Sequence, residues 1–325
     1  MRWQCVLLLL VCLLISIVHQ PASAEDRPPR PNFVVVLTDD QRFDALGCMG
    51  NKFISTPHLD ALAANGTLFT NAFCTTSICP VSRATLITGQ WERRHGIGGF
   101  RTSLSDEQWA KTFPALLRAQ GYRTGMIGKW GLGGPLPEDK YDWWAGYAGQ
   151  GRYFPKDKVG VAGEHQTHQL GEQALEFLKT CAPEQPFLLQ FYTKAPHCQD
   201  NDPWQFQFDP RYHELFREVT LPVPETATAE DFAALPEFLQ NSEARVRWQI
   251  RFATPELYQK SVKDYYRLIK GVDDVVGNIV AHLRERDLLQ NTVIVFTSDN
   301  GFYLGEHGLA GKWFMHEESI RLPLI

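Results

Sequence analysis

The segment TTSICPVSRATLITG, residues 75–89, places Cys79 four positions before Arg83, with Pro80 between them and an apolar stretch directly after. A thiol that only fills a core has no need of such neighbours, so the meaning of the motif depends on what else in the chain converges on Cys79. Two further pairs carry oxygen ligands: Asp39 with Asp40, and Asp299 with Asn300, each closing a β-branched run. Such a donor set suits a hard divalent cation, since Ca2+ takes about six to eight oxygens and accepts an amide carbonyl among them. Taken singly, each pair reads better as a solvated turn or a helix cap. Their common position at strand ends, together with Cys79, favours a site, and His197 in FYTKAPH falls at a similar place.

Those side chains need a frame that brings residues 39, 79, 197 and 299 together. NFVVVLTDD (residues 32–40), PFLLQFYT (186–193) and NTVIVFTSDN (291–300) are near-continuous apolar runs. Strands of that kind belong to a sheet covered on both faces. Between them lie helical patterns: residues 56–66 combine Thr56 as a cap, Pro57 in the first turn and Gly66 as a stop, and residues 113–121 close on Gly121. After Pro255, the residues Val272, Val275, Val276, Ile279, Val280 and Leu283 recur at helical steps. The alternation predicts an α/β fold with a large, mostly parallel sheet flanked by helices. Residues 199–253 are richer in Pro, Asp, Phe and Trp and read as an elaborated insertion. In such sheets ligands gather beyond the carboxyl ends of the strands, where the two acid pairs stand.

The chain has 325 residues, 44% hydrophobic and 21% charged, with a formal net charge of -5. That balance gives no footprint for nucleic acid, and an anionic substrate would need a local cationic pocket. Residues 1–24 have a basic start at Arg2, an apolar run over residues 6–18 and the small-residue sequence Ala22-Ser23-Ala24. They read as a signal peptide rather than a membrane span, which implies export to the periplasm or the extracellular space and no stable membrane insertion after cleavage. Residues 25–325 would form the mature chain. Its five cysteines, Cys48, Cys74, Cys79, Cys181 and Cys198, are odd in number, so in an oxidising compartment at least one is unpaired or chemically altered.

The pieces PNFVVVLTDD, TPHLDALAANGTLFTNAF, CPVSRATLITG, GYRTGMIGKWG, APH, FTSDNG and GEHGLAGKWFMHEESIRLPLI run in that order from Pro31 to the last residue. In this the chain resembles the sulfatase family of the alkaline-phosphatase-like superfamily. The resemblance implies hydrolysis of sulfate esters, with a saccharide or an aryl sulfate as substrate. It implies that Cys79 is oxidised by a formylglycine-generating maturation enzyme and that the aldehyde hydrate is the nucleophile. It also implies one Ca2+ bound by Asp39, Asp40, Asp299, Asn300 and the modified residue 79. Arg83 would hold the hydrate, Lys129 and Lys312 would clamp the sulfate oxygens, and His197 would assist the leaving oxygen.

The chain departs from the family pattern in three respects. Proline follows the cysteine directly as Pro80, and Val81 stands where the signature has proline. Gly131 stands where many members carry a histidine shortly after the lysine, so a helper to the nucleophile would be missing or supplied elsewhere. The family usually continues past RLPLI into a smaller C-terminal subdomain, which would be absent here. Two other functions fit the same residues: a phosphodiesterase or phosphonate monoester hydrolase of the superfamily, and a non-catalytic Ca2+-stabilised binding protein that keeps Cys79 as a thiol. Trp143, Trp144 and Trp204, read as loop residues, would either stack on sugar rings or pack in local clusters.

Overall fold

The computed structural model describes residues 30–325, so the leader expected at residues 1–24 lies outside the described residues. The elements that carry the argument are β1 (Asn32–Asp39), α1 (Pro57–Asn65), α2 (Cys79–Thr88), β2 (Arg123–Lys129), β3 (Trp143–Tyr147) and α3 (Gln166–Lys179). They are followed by β4 (Phe187–Pro196), α4 (Glu243–Arg251), α5 (Pro255–Glu285) and β5 (Thr292–Ser298). The strands form one sheet in the order β3-β2-β4-β1-β5, and every pairing in it is parallel. The three apolar runs are three adjoining members, β4, β1 and β5, with β5 at the end of the order. Beyond β5, Phe296 and Ile325 exchange backbone hydrogen bonds of 3.0 Å, which adds a short antiparallel edge.

Alternation along β1 divides the core into two layers. Val34 and Val36 join Leu170, Ala174 and Phe177 of α3 and Val272, Val276 and Ile279 of α5 on one face. Val35 and Leu37 join Ala84 and Ile87 of α2 on the other. Both faces of the strand are therefore dry, which is why its sequence shows no polar alternation. At about 25 cal/mol per Å2, burying such side chains dominates the favourable side of folding.

α1 begins differently from its sequence signal. Thr56 occupies the cap position, but its hydroxyl donates to Asp60 Oδ1 (2.9 Å) and caps nothing. The free backbone donors of His58 and Leu59 are taken by Asp273 Oδ1 of α5, at 3.1 and 2.9 Å. A buried carboxylate from another helix thus replaces the local cap and ties α1 to α5. Trp143 and Trp144 also differ from expectation, since they lie in the edge strand β3 rather than in loops. Trp143 packs on Phe177, and Trp144 on Trp130 and Tyr141. Trp204 packs on Phe154 and Phe208. All three contribute to packing. Residues 199–253 contain the short helices Ala229–Ala233 and Glu237–Gln240 and end in α4. Among the described residues, no helix is long and apolar enough to cross a membrane.

β2 must pass close to β4 just before it delivers Lys129. Gly128 allows this with φ +101°, and a Cβ there would lie 1.9 Å from the Tyr192 carbonyl oxygen. Gly128→Ala should therefore lower unfolding stability by about 2 kcal/mol or more, combining left-handed strain with a backbone clash. Urea denaturation of the two proteins measures it, and an unchanged midpoint would show that the strands separate without cost.

Candidate active site

Parallel register builds the site. Thr38 of β1 pairs with Ser298 of β5, and Asp39 pairs with Pro196 of β4. The residues that follow, Asp40, Asp299 with Asn300, and His197, therefore emerge side by side at one edge, next to Lys129 at the end of β2. Asp40 turns into the left-handed region at φ 65°, which short polar side chains tolerate. Its backbone is held there: the Asp40 N–H donates to Asp299 Oδ1 (3.2 Å), and the Tyr265 hydroxyl donates to the Asp40 carbonyl oxygen (2.7 Å).

α2 supplies the other half. Ile78 is extended, Cys79 starts the helix, and Pro80 sits in the first turn, where its missing N–H leaves no intrahelical bond unmade. The shifted proline is thus compatible with the helix that presents residue 79. Arg83 lies one turn further on the same face. Its Nε donates to Asp299 Oδ2 (2.8 Å), its Nη1 donates to the Lys129 carbonyl oxygen (2.7 Å), and its Nη2 stands 3.8 Å from Asp39 Oδ2. Cys79 Sγ donates to Asp39 Oδ1 (3.3 Å) and accepts from Lys312 Nζ (3.0 Å). Lys129 pairs with Asp39 and donates to Gln150 Oε1 (2.7 Å), while Lys312 pairs with Asp40. His197 Nε2 lies 3.6 Å from Asp40 Oδ2, and its Nδ1 donates to the Cys198 carbonyl oxygen (2.6 Å). Every site residue expected from the sequence is buried and belongs to this one cluster.

Burial opposes charge on all of these groups, and the outcome depends on neighbours. Asp39 is desolvated, but its cationic neighbours, Lys129 foremost and then Lys312 and Arg83, outweigh this and hold its carboxyl well below the usual range. Asp40 is pushed up to about 6 by burial and by Asp39 and Asp299, against the pull of Lys312. Asp299 is raised by burial and by Asp39. Burial, with Asp39 next, drives the Cys79 thiol far above its ordinary value. At neutral pH residue 79 is therefore a protonated thiol, not a thiolate. His197 is held neutral, chiefly by burial, with Lys312, Lys194 and Lys129 adding to the effect.

The oxygens fit a hard cation. Ligand atoms of Asp39, Asp40, Cys79 and Asp299 lie within 4.8 Å of one another. Asn300 donates through Nδ2 to Asp40 Oδ1 (2.5 Å), and its Oδ1 is a buried acceptor with no partner. An orphaned amide oxygen beside three carboxylates is the environment that an oxygen-seeking divalent ion satisfies.

Sequence reasoning missed Gln150, which holds Lys129. The only signal was its place in Gly149-Gln150-Gly151, where both glycines have left-handed backbone. It also missed Lys194 and Tyr153, buried beside His197. The position of Gly131 has a steric reason: its φ is +78°, and a Cβ would lie 2.5 Å from Arg83 Cδ. In this chain the Arg83 side chain occupies that space, so a larger residue at 131 requires Arg83 to shift. His95 is structural, contacting Thr85 Oγ1 (3.1 Å) and accepting the Ile97 N–H at Nδ1 (3.0 Å). His307 stacks on His316.

Comparison with known proteins gives concordant results. The family model described as Sulfatase matches residues 31–325. The chain is 29% identical to an N-acetylglucosamine-6-O-sulfatase of Bacteroides thetaiotaomicron, covering 98% of this chain and 66% of that protein. It thus spans slightly less than two thirds of that relative. A solved structure of a protein in complex with its substrate D-glucosamine-2-N,6-O-disulfate superposes with a TM-score of 0.74 at 28% identity, covering 91% of this chain and 70% of that one. A phosphonate monoester hydrolase from Silicibacter pomeroyi superposes with a TM-score of 0.75 at 21% identity, covering 91% and 67%, and shares the fold.

The contact at position 131 is testable. Gly131→Ala should cost roughly 1–3 kcal/mol of stability, because it combines a strained left-handed residue with displacement of Arg83. Thermal melts against Arg83→Met and the double variant separate the two causes. A cost at 131 that is undiminished when Arg83 is already truncated would leave backbone strain alone responsible.

Proposed function

The chain belongs to the sulfatase family, and on that premise we propose that it hydrolyses sulfate monoesters, with a sulfated saccharide as substrate and residue 79 as the nucleophile in its formylglycine form. The observation that carries the reading is the convergence of three cations, Arg83, Lys129 and Lys312, with four buried oxygen ligands around Cys79. The state of Cys79 supports it further. A buried thiol held protonated between Asp39 and Lys312 is a poor nucleophile, so chemistry at this position calls for a different group. An aldehyde hydrate supplies one hydroxyl to attack sulfur and a second whose deprotonation releases sulfate. Its formation requires an oxidising maturation enzyme as partner.

The chain's own residues take the remaining roles. Arg83 orients the group at 79 through its ties to Asp299 and to the Lys129 carbonyl. Lys129 and Lys312 turn from their carboxylate partners to the sulfate oxygens, where they act most strongly as charge develops. Asp39, Asp40, Asp299 and Asn300 would hold one Ca2+, which would supply electrophilic stabilisation of those oxygens and neutralise the carboxylates the lysines release. His197 presents Nε2 toward the leaving alcohol. It is neutral at rest, and arrival of the anionic ester beside it favours the imidazolium that can donate. The saccharide preference draws on the N-acetylglucosamine-6-O-sulfatase and on the glucosamine disulfate complex. Export through the leader at residues 1–24, and residues 25–325 as the catalytic domain with an insertion at 199–253, belong to the same proposal.

Three outcomes are expected from protein produced with a maturation enzyme. Peptide mass spectrometry finds an aldehyde or its hydrate at residue 79, and Cys79→Ala abolishes hydrolysis of 4-nitrophenyl sulfate while the protein stays folded. Lys129→Ala lowers kcat by about a hundredfold or more, the magnitude typical of a lost transition-state donor. Ca2+ raises the melting temperature by mass action and a chelator reverses it, a response that Asp299→Ala abolishes. Turnover of sulfate esters by protein with an unmodified thiol would refute the nucleophile. An unmodified thiol without turnover would favour the binding-protein reading, and faster turnover of a phenylphosphonate ester would favour the phosphonate hydrolase.

A further inference from the structure

Lys194 is a buried cation on β4 that none of the roles above uses. It is 1% exposed. Its Nζ donates to the Cys198 carbonyl oxygen (3.3 Å) and stands 5.1 Å from the centre of the Tyr153 ring. Among the described residues it makes no ion pair. Burial, with the nearby Lys129 next, pushes the ammonium down to about 8. Keeping an unpaired cation in the interior works against stability, so its retention asks for another reason.

The contacts supply one. The carbonyl that accepts from Lys194 is the same one that accepts from His197 Nδ1 at 2.6 Å. The neighbouring carbonyl, that of His197 itself, accepts from the Tyr153 hydroxyl at 2.6 Å. Lys194 and Tyr153 are in turn joined face to cation. Two side chains therefore grip the two successive carbonyls that set the direction of the imidazole. A carbonyl only accepts, so the bond from Nδ1 fixes the proton on that nitrogen and turns Nε2 toward Asp40. We propose that Lys194 is a positioning residue for His197: with Tyr153 it locks the peptide of Cys198 so that Nε2 stays aimed at the leaving oxygen.

The rate consequences rest on the sulfate-ester reading, but the orientation of the ring does not, and the test has an arm for each. Lys194→Met, Lys194→Arg and Tyr153→Phe are made in the full chain carrying the aldehyde. They are assayed on 4-nitrophenyl sulfate, whose acidic phenol leaves without a proton, and on a 6-O-sulfated N-acetylglucosamine, whose alcohol needs one. Lys194→Met should lower kcat on the sugar ester by about 10- to 100-fold, within the range of a misplaced acid catalyst, with KM and the nitrophenyl ester changed by less than about threefold. Lys194→Arg should restore most of the loss, Tyr153→Phe should give the same selective defect, and the melting temperature of Lys194→Met should not fall. Equal losses on both esters with a lowered melting temperature would mean a structural role and overturn the proposal. A change confined to KM would mean direct substrate contact, and faster turnover of the sugar ester would mean that the charge of Lys194, not its grip, is what matters; either overturns it. If wild type turns over neither ester, the functional reading fails, and the 15N shifts of the His197 ring decide instead. One Nδ1–H tautomer in wild type and a mixture in Lys194→Met supports positioning, and identical spectra refute it.

Discussion

Three carboxylates, Asp39, Asp40 and Asp299, are forced together at the end of a dry parallel sheet, and the rest of the site is organised around that crowding. At about 4 Å and an effective dielectric near 20, each like-charged pair repels by roughly 4 kcal/mol. Such an arrangement persists only if cations come with it. Arg83 arrives from α2, Lys129 from the end of β2, and Lys312 from the loop after the Tyr303–Leu304 and Ala310–Gly311 ribbon. Each is buried and commits its charge to this cluster. The positions of the cations are therefore consequences of the acid pairs.

The same balance explains why the site suits an anion. Lys129 and Lys312 are held by side chains alone, each by a carboxylate together with Gln150 or Cys79, so either ammonium can turn without moving backbone. Arg83 differs from the lysines: its fork is fixed at once by Asp299 and by a backbone carbonyl. It behaves as part of the frame, and a side chain at position 131 would have to displace it. Around His197 the priorities change again. There an unpaired lysine and a tyrosine hydroxyl hold backbone carbonyls rather than charges, so the groups that tolerate instability are those that set direction.

Much of this was legible in the linear order of residues. The three apolar runs required a sheet covered on both faces, because a strand with no polar alternation has no face to offer water. The acid pairs stood where such strands end, and Cys79, Pro80 and Arg83 stood together in one short motif, which the structure makes the start of α2. These features are local: period, capping and turn chemistry act over a few residues, so the sequence itself marked the three apolar strands and the long helix, while the resemblance is what grouped the expected site residues.

Only the tertiary structure decided how the members face one another. Asp273 replaced Thr56 as the cap of α1 because a helix more than two hundred residues away supplied a better acceptor, which no local pattern encodes. Gln150 and Tyr153 were invisible because each acts through a partner distant in sequence, and Lys194 because its reach to the Cys198 carbonyl four residues on depends on the folded path of that turn. Trp143 and Trp144 became an edge strand because β2 offered a free row of backbone groups at that place. The displaced charges of Asp40 and Cys79 likewise follow from burial and from neighbours across the sheet. The residue types carried the chemistry, but desolvation and distance, which exist only once the chain has folded, determined which of them are charged and where they point.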